Sequence, residues 1–160
     1  MPIDPEIVAD CPYHQEGFLI DEVLEVDLEA SRVICRMPTH PELPITRSQR
    51  AHPVRHPSHV SGGLMVHMTG MVAFVHFYLV LGLRHADGWV GYGGRIYRAN
   101  FAGLASPGEP LMLSCEMKSK RRVGDKMMAR YDFRFTQEER LIYEGDQVAM
   151  WLKVAPDAPR

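Results

Sequence analysis

From Leu64 to Leu83 the chain is almost continuously apolar, LMVHMTGMVAFVHFYLVLGL. That run approaches the length needed to span a bilayer. His67, Thr69, Gly70 and His76 interrupt it, however, and charged, strand-like segments follow it. A helix apolar on all sides and flanked in this way predicts the buried centre of a folded domain rather than a membrane span. Ser61 is a suitable N-cap, and the spacing predicts a helix running to about Leu81, where Gly82 stops it.

The segments on either side read as strands. Phe18–Val26 mixes β-branched and acidic residues, and a turn over Asp27–Ala30 joins it to Arg32–Met37, which predicts a hairpin. Residues 38–58 contain five prolines (Pro38, Pro41, Pro44, Pro53 and Pro57), so this stretch is an irregular loop. Beyond the helix, four strands are predicted: Val90–Phe101, Leu111–Arg122, Lys126–Thr136 and Arg140–Val154. The turns between them are marked by Ser106-Pro107-Gly108, Gly124-Asp125 and Gln137-Glu138-Glu139. The predicted order is two strands, one helix and four strands in an antiparallel meander. A helix this apolar must be covered on every side, so the expected fold is α+β, with the sheet curled about a central helix. No repeat, low-complexity tract or interior linker divides residues 1–160, which read as one domain with its core over about residues 12–154.

Composition narrows the possible partners. A formal charge of −2 gives no electrostatic case for a nucleic-acid or anionic-membrane binder. The local exception is Lys118, Lys120, Arg121 and Arg122, which form either a solvated strand end or a docking patch for an acidic partner. Three widely spaced cysteines without a CxxC pair support neither a disulfide framework nor a zinc ribbon, and they fit a reducing cytoplasm. The start, MPIDPEIVADCPYH, lacks the basic and apolar regions of a signal peptide.

The candidate chemistry lies at the entry to the helix. His52, His56, His59 and His67 fall within sixteen positions, beside Gly62-Gly63. Imidazole titrates nearest neutral pH, and a helix N-terminus offers backbone N–H groups that can hold charge developing on a carbonyl oxygen. In an apolar helix His67 favours its neutral form and acts better as base than as acid. A metal site is disfavoured, because the loop histidines lack a helical i, i+4 pair to fix their geometry. Nothing in the sequence calls for a cofactor. Met65, Met68 and Met71, at three-residue spacing, fill core or line a flexible acyl chain.

Three separated segments carry a family resemblance. Pro12-Tyr13-His14-Gln15-Glu16-Gly17-Phe18-Leu19-Ile20-Asp21-Glu22-Val23 resembles the P-H-R-Y-P-F-L-L-V-D-R-V opening of bacterial β-hydroxyacyl-ACP dehydratases of the hotdog-fold superfamily. His52-Pro53-Val54-Arg55-His56-Pro57 lies where that family has H-F-P-G-[HK]-P, with a catalytic first histidine. Tyr97-Arg98-Ala99-Asn100-Phe101 followed by Ser106-Pro107-Gly108-Glu109 resembles its N-A-R-F-R-R-P-V-V-P-G-D stretch. The likeness spans roughly residues 12–154. It implies a hotdog fold, and a homodimer or dimer-based oligomer with the active site between protomers.

The same resemblance has a gap. The family's catalytic acid early on the central helix has no counterpart, since no Asp or Glu occurs between Gly62 and Leu83; alignment puts Val66 or His67 at that position. Ser61-Gly62-Gly63 is also similar to the H-G-G of hotdog thioesterases, with Gly70 where their acid is expected. His59 and Gly63 further resemble the H-x-x-x-G of polyketide-synthase dehydratase domains. The resemblance implies three functions. The first is dehydration of a β-hydroxyacyl-ACP or -CoA by His52 with His67 or His59. The second is thioester hydrolysis with the carbonyl at Gly62-Gly63, and the third is acyl-thioester binding without catalysis.

Overall fold

Six strands form one antiparallel sheet: β1 (Glu22–Asp27), β2 (Arg32–Met37), β3 (Trp89–Phe101), β4 (Leu111–Val123), β5 (Lys126–Gln137) and β6 (Arg140–Lys153). The computed structural model describes residues 1–155. Two short helices, α1 (Pro5–Asp10) and α2 (Gln15–Phe18), precede the sheet, and the long helix α3 (Gly62–Leu79) separates β2 from β3. Each strand lies within a few residues of its predicted span. α1 and α2 were not anticipated by the apolar pattern.

Local chemistry explains the boundaries. The Ser61 side chain accepts a hydrogen bond from the Gly63 N–H and caps α3 as expected, while the helix ends at Leu79, just short of Gly82, which takes φ +63°. In the first hairpin Asp27 Oδ1 accepts from the Ala30 N–H at 2.9 Å, and Ser31 completes the turn with φ 52°. The first predicted strand begins four residues late. Leu19 adopts φ 57° and ends α2, so Phe18 is buried at a helix end instead of in a strand.

The strand order is β1-β2-β4-β5-β6-β3, which corrects the predicted four-strand meander. Only β4, β5 and β6 run as a meander. β3 pairs with β6 from Trp89↔Lys153 to Phe101↔Tyr143, and β2 pairs with β4. The connection from β3 to β4 therefore crosses the sheet and leaves β3 as a long edge.

The sheet wraps α3. Leu64, Met65, Met68, Val72, Val75 and Phe77 of the helix are buried against Val33, Cys35, Leu113, Cys115 and Phe135 of the strands. Phe77 stacks on Trp151, with centroids 3.9 Å apart and planes at 11°. By length and composition α3 is apolar enough to cross a membrane, but two-thirds of it is buried in the domain, as a core helix must be. His76 lies in this core at 0% exposure. Its Nε2 donates to the Ser31 carbonyl at 2.9 Å, while Nδ1 has no partner. Burial without a counter-charge pushes its pKa down to about 4.

Candidate active site

A cavity of about 420 Å³ opens between the outward face of α3 and the β3–β6 edge. Its existence follows from residue size. On β3, Gly91 leaves space that Trp151 fills, since a Cβ there would lie 2.3 Å from the indole ring. A Cβ on Gly93 or Gly70 would meet nothing within 4 Å, so these two positions leave the groove open. Met71 and Phe74 of the helix, with Ile96 and Ala149 of the sheet, give it apolar walls.

Few polar groups enter this cavity. His67 is partly buried on its wall. Its Nε2 lies 2.7 Å from the Gly17 carbonyl oxygen, and Tyr13 packs edge-on against the ring at 5.0 Å. A carbonyl only accepts, so Nε2 carries the hydrogen, and in the neutral ring Nδ1 keeps its lone pair. The N-terminal segment thus fixes the tautomer of His67 and leaves a basic nitrogen unengaged.

Beside it, the Thr69 hydroxyl donates to Val66 O at 2.7 Å and lies 3.0 Å from Gln147 Oε1. Gln147 in turn donates to the Tyr143 hydroxyl at 2.8 Å. At the opposite end His85 Nδ1 lies 3.1 Å from the Trp89 carbonyl. No carboxylate lines the cavity among the described residues. Thr69, Gln147 and Tyr13 were not anticipated from sequence.

The other predicted residues lie elsewhere in the protomer. His52 is in a small loop closed by its own backbone bonds to His56, and its Nδ1 accepts from the N–H groups of Val54 (3.2 Å) and Arg55 (3.0 Å). His59 Nδ1 lies 2.8 Å from the Pro57 carbonyl, and Gln49 clamps its backbone from both sides. Neither ring lines the cavity that holds His67. Gly62 and Gly63 lie at the helix start, where the Gly63 N–H is taken by the Ser61 cap and Phe101 covers Gly62. Of the three methionines, Met71 lines the cavity, while Met65 and Met68 are buried in the core. Among the described residues, no group of three or more His, Cys, Asp or Glu side chains is placed to hold a metal ion.

No family model matches this sequence, and no curated protein matches it. Solved structures do. A mutant thioesterase from Pseudomonas aeruginosa superposes with a TM-score of 0.64 at 13% identity, covering 96% of each chain. A dehydratase heterocomplex from Xenorhabdus doucetiae matches with a TM-score of 0.63 at 11% identity, over 98% of this chain and 93% of that one. A phenylacetic acid degradation-related protein from Ralstonia eutropha JMP134 matches at 0.60 and 18% identity, over 91% and 96%. With a six-stranded antiparallel sheet curled round one long helix, and with that likeness extending over nearly its full length, this chain is a hotdog-fold protein.

Proposed function

We propose that the protein acts on acyl thioesters of acyl carrier protein or CoA, and that it dehydrates a 3-hydroxyacyl group to the 2-enoyl group. The observation that carries this reading is the unengaged Nδ1 of His67 beside an apolar groove. Nδ1 takes the proton from C2, and the C–H electron pair forms the C2=C3 bond. The C3–O bond breaks, and the imidazolium returns its proton to the departing hydroxide as water. Met71 contacts the acyl chain, with Met65 and Met68 in the core behind it. Structural neighbours named as a dehydratase and as a thioesterase support an acyl-thioester reaction of either kind.

Hydrolysis is the second reading. It is favoured by the lack of any carboxylic acid lining the cavity among the described residues, since His67 alone suffices to activate water. A 3-hydroxyacyl thioester separates the two: dehydration raises enoyl-thioester absorbance without free thiol, whereas hydrolysis releases thiol. Neither signal, combined with thermal stabilisation by the ligand, would leave acyl-thioester binding alone.

The groove also sets a size test. Gly70→Leu projects a side chain into space that is open beside His67 and Phe74. It is expected to raise KM about tenfold while thermal stability holds or improves, because glycine in a helix interior is unfavourable. Unchanged KM would place the acyl group elsewhere.

We place the active site in a homodimer formed edge to edge through β3. The strand leaves Tyr92, Ile96 and Phe101 each at least half exposed, and long apolar edges of this kind are normally covered. A second protomer is then the route by which His52 and His59 reach the cavity of the first. Sedimentation of the purified chain is expected to give a dimer, and Ile96→Lys to shift it toward monomer; a wild-type monomer would refute the assembly. The buried free thiols Cys35 and Cys115 suit a cytoplasmic setting.

A further inference from the structure

Strand β3 carries two bulges, at Gly94 between Gly93 and Arg95, and at Tyr97 between Ile96 and Arg98. Without the second bulge, residues 95 and 98 would point to opposite faces of the sheet. With it, Arg95 pairs opposite Val148 and Arg98 opposite Asp146, and both project from the outer face together with Tyr97. Arg130, on β5, also pairs opposite Val148. The guanidinium carbons of Arg95 and Arg130 each lie 4.9 Å from the centre of the Tyr97 ring. Two arginines therefore stack on one aromatic ring, and Arg98 shares their face of the sheet.

Their charges are not balanced. Arg130 is satisfied by a bidentate pair with Asp146, at 2.8 and 2.5 Å. Arg98 shares the field of that same carboxylate, and its charge helps hold the Asp146 pKa down. Arg95 has no carboxylate partner among the described residues, is exposed, and borders the mouth of the His67 cavity. Its stack on Tyr97 restrains the guanidinium without neutralising it, which suits binding of a phosphate group. Edge pairing of β3 with a second protomer would leave this outer face open.

We propose that Arg95 and Arg98 form the subsite for the phosphate of the 4′-phosphopantetheine arm that carries the acyl group, an inference that rests on the thioester reading above. The arm is common to CoA and acyl carrier protein. The reacting carbonyl enters beside His67, and the phosphate remains at the cavity mouth.

The test compares wild type with Arg95→Gln and with the Arg95→Gln/Arg98→Gln double variant. Calorimetric binding of 4′-phosphopantetheine and of unphosphorylated pantetheine is the direct measurement. Wild type is expected to prefer the phosphorylated form by about tenfold, with affinity falling as salt rises, and the double variant to lose the preference. In turnover, loss of kcat/KM is expected to be at least about tenfold greater for acyl-CoA and acyl carrier protein substrates than for the phosphate-free N-acetylcysteamine thioester. Equal loss on all three substrates, or equal wild-type affinity for both pantetheines, overturns the proposal. Loss confined to acyl-CoA, with phosphopantetheine binding intact, would assign the arginines to the nucleotide phosphates and also overturn it. Wild type that turns over no thioester refutes the reaction proposed above, and the binding comparison still decides the phosphate site.

Discussion

His67→Gln is expected to lower kcat by about 10²- to 10⁴-fold, the range that one positioned general base supplies, while leaving the fold intact. The side chain has two separable tasks. Its Nε2 holds the Gly17 carbonyl at 2.7 Å, and its Nδ1 is the proposed base. A glutamine amide places a donor near the Nε2 position, so it preserves the link to the N-terminal segment and removes only the basic nitrogen. His67→Ala removes both and is expected to be less stable by roughly 1 kcal/mol, since the part-buried Gly17 carbonyl loses its partner. Single-turnover kinetics and thermal unfolding of both variants make the check. Full activity in His67→Gln would transfer the chemistry to another group. If both variants proved equally unstable, the tautomer argument would fail.

The loop histidines bear on the same experiment. In one protomer neither His52 nor His59 lines the His67 cavity, so any contribution they make depends on the proposed dimer. Loss of activity in His52→Ala, in a variant that still dimerises, would support that arrangement. The role proposed for His67 does not depend on that outcome.

What the sequence disclosed follows from the range of the interactions involved. α3, its Ser61 cap and the hairpin turns depend on residues a few positions apart, and those were readable to within a few residues. The pairing of β3 with β6 depends on contacts some fifty residues apart. No local pattern encodes such contacts, and four consecutive strands look like a meander whichever way the first one goes. The cavity divided in the same way. His67 stood out as a titratable group in an apolar run, and Met71 as part of a stripe. Gln147 drew no notice within the predicted strand Arg140–Val154, yet it faces inward and meets Thr69, seventy-eight residues away in sequence. Gly91 and Gly93 drew no notice within the predicted strand Val90–Phe101, yet they leave room for Trp151 and for the groove. Tyr13 was quoted within a family motif, but its contact with His67 depends on α2 folding back onto α3.

The second large effect concerns stability under acid. His76 is fully buried and its pKa is lowered from 6.5 to about 4, first by burial and then, in the same direction, by the charge of Lys120. The bond to the Ser31 carbonyl opposes this shift, and the Tyr131 ring packed edge-on at 5.3 Å brings no formal charge. Above about pH 6.5 His76 is neutral in both folded and unfolded chains and contributes no pH dependence. As pH falls below that value the unfolded chain takes up a proton that the folded chain refuses, so stability declines until about pH 4, where the folded state also protonates. The interval corresponds to roughly 3 kcal/mol. Denaturant unfolding from pH 7.5 down to pH 4 is expected to show this loss in wild type and in His67→Gln. His76→Phe keeps an aromatic ring in the core but cannot titrate. It starts lower at pH 7.5, because the Ser31 carbonyl keeps the Met117 N–H but loses the imidazole donor, and its stability curve should lie flatter by about 3 kcal/mol over the same range. Parallel curves for wild type and His76→Phe would show that His76 is not the group whose protonation destabilises the fold.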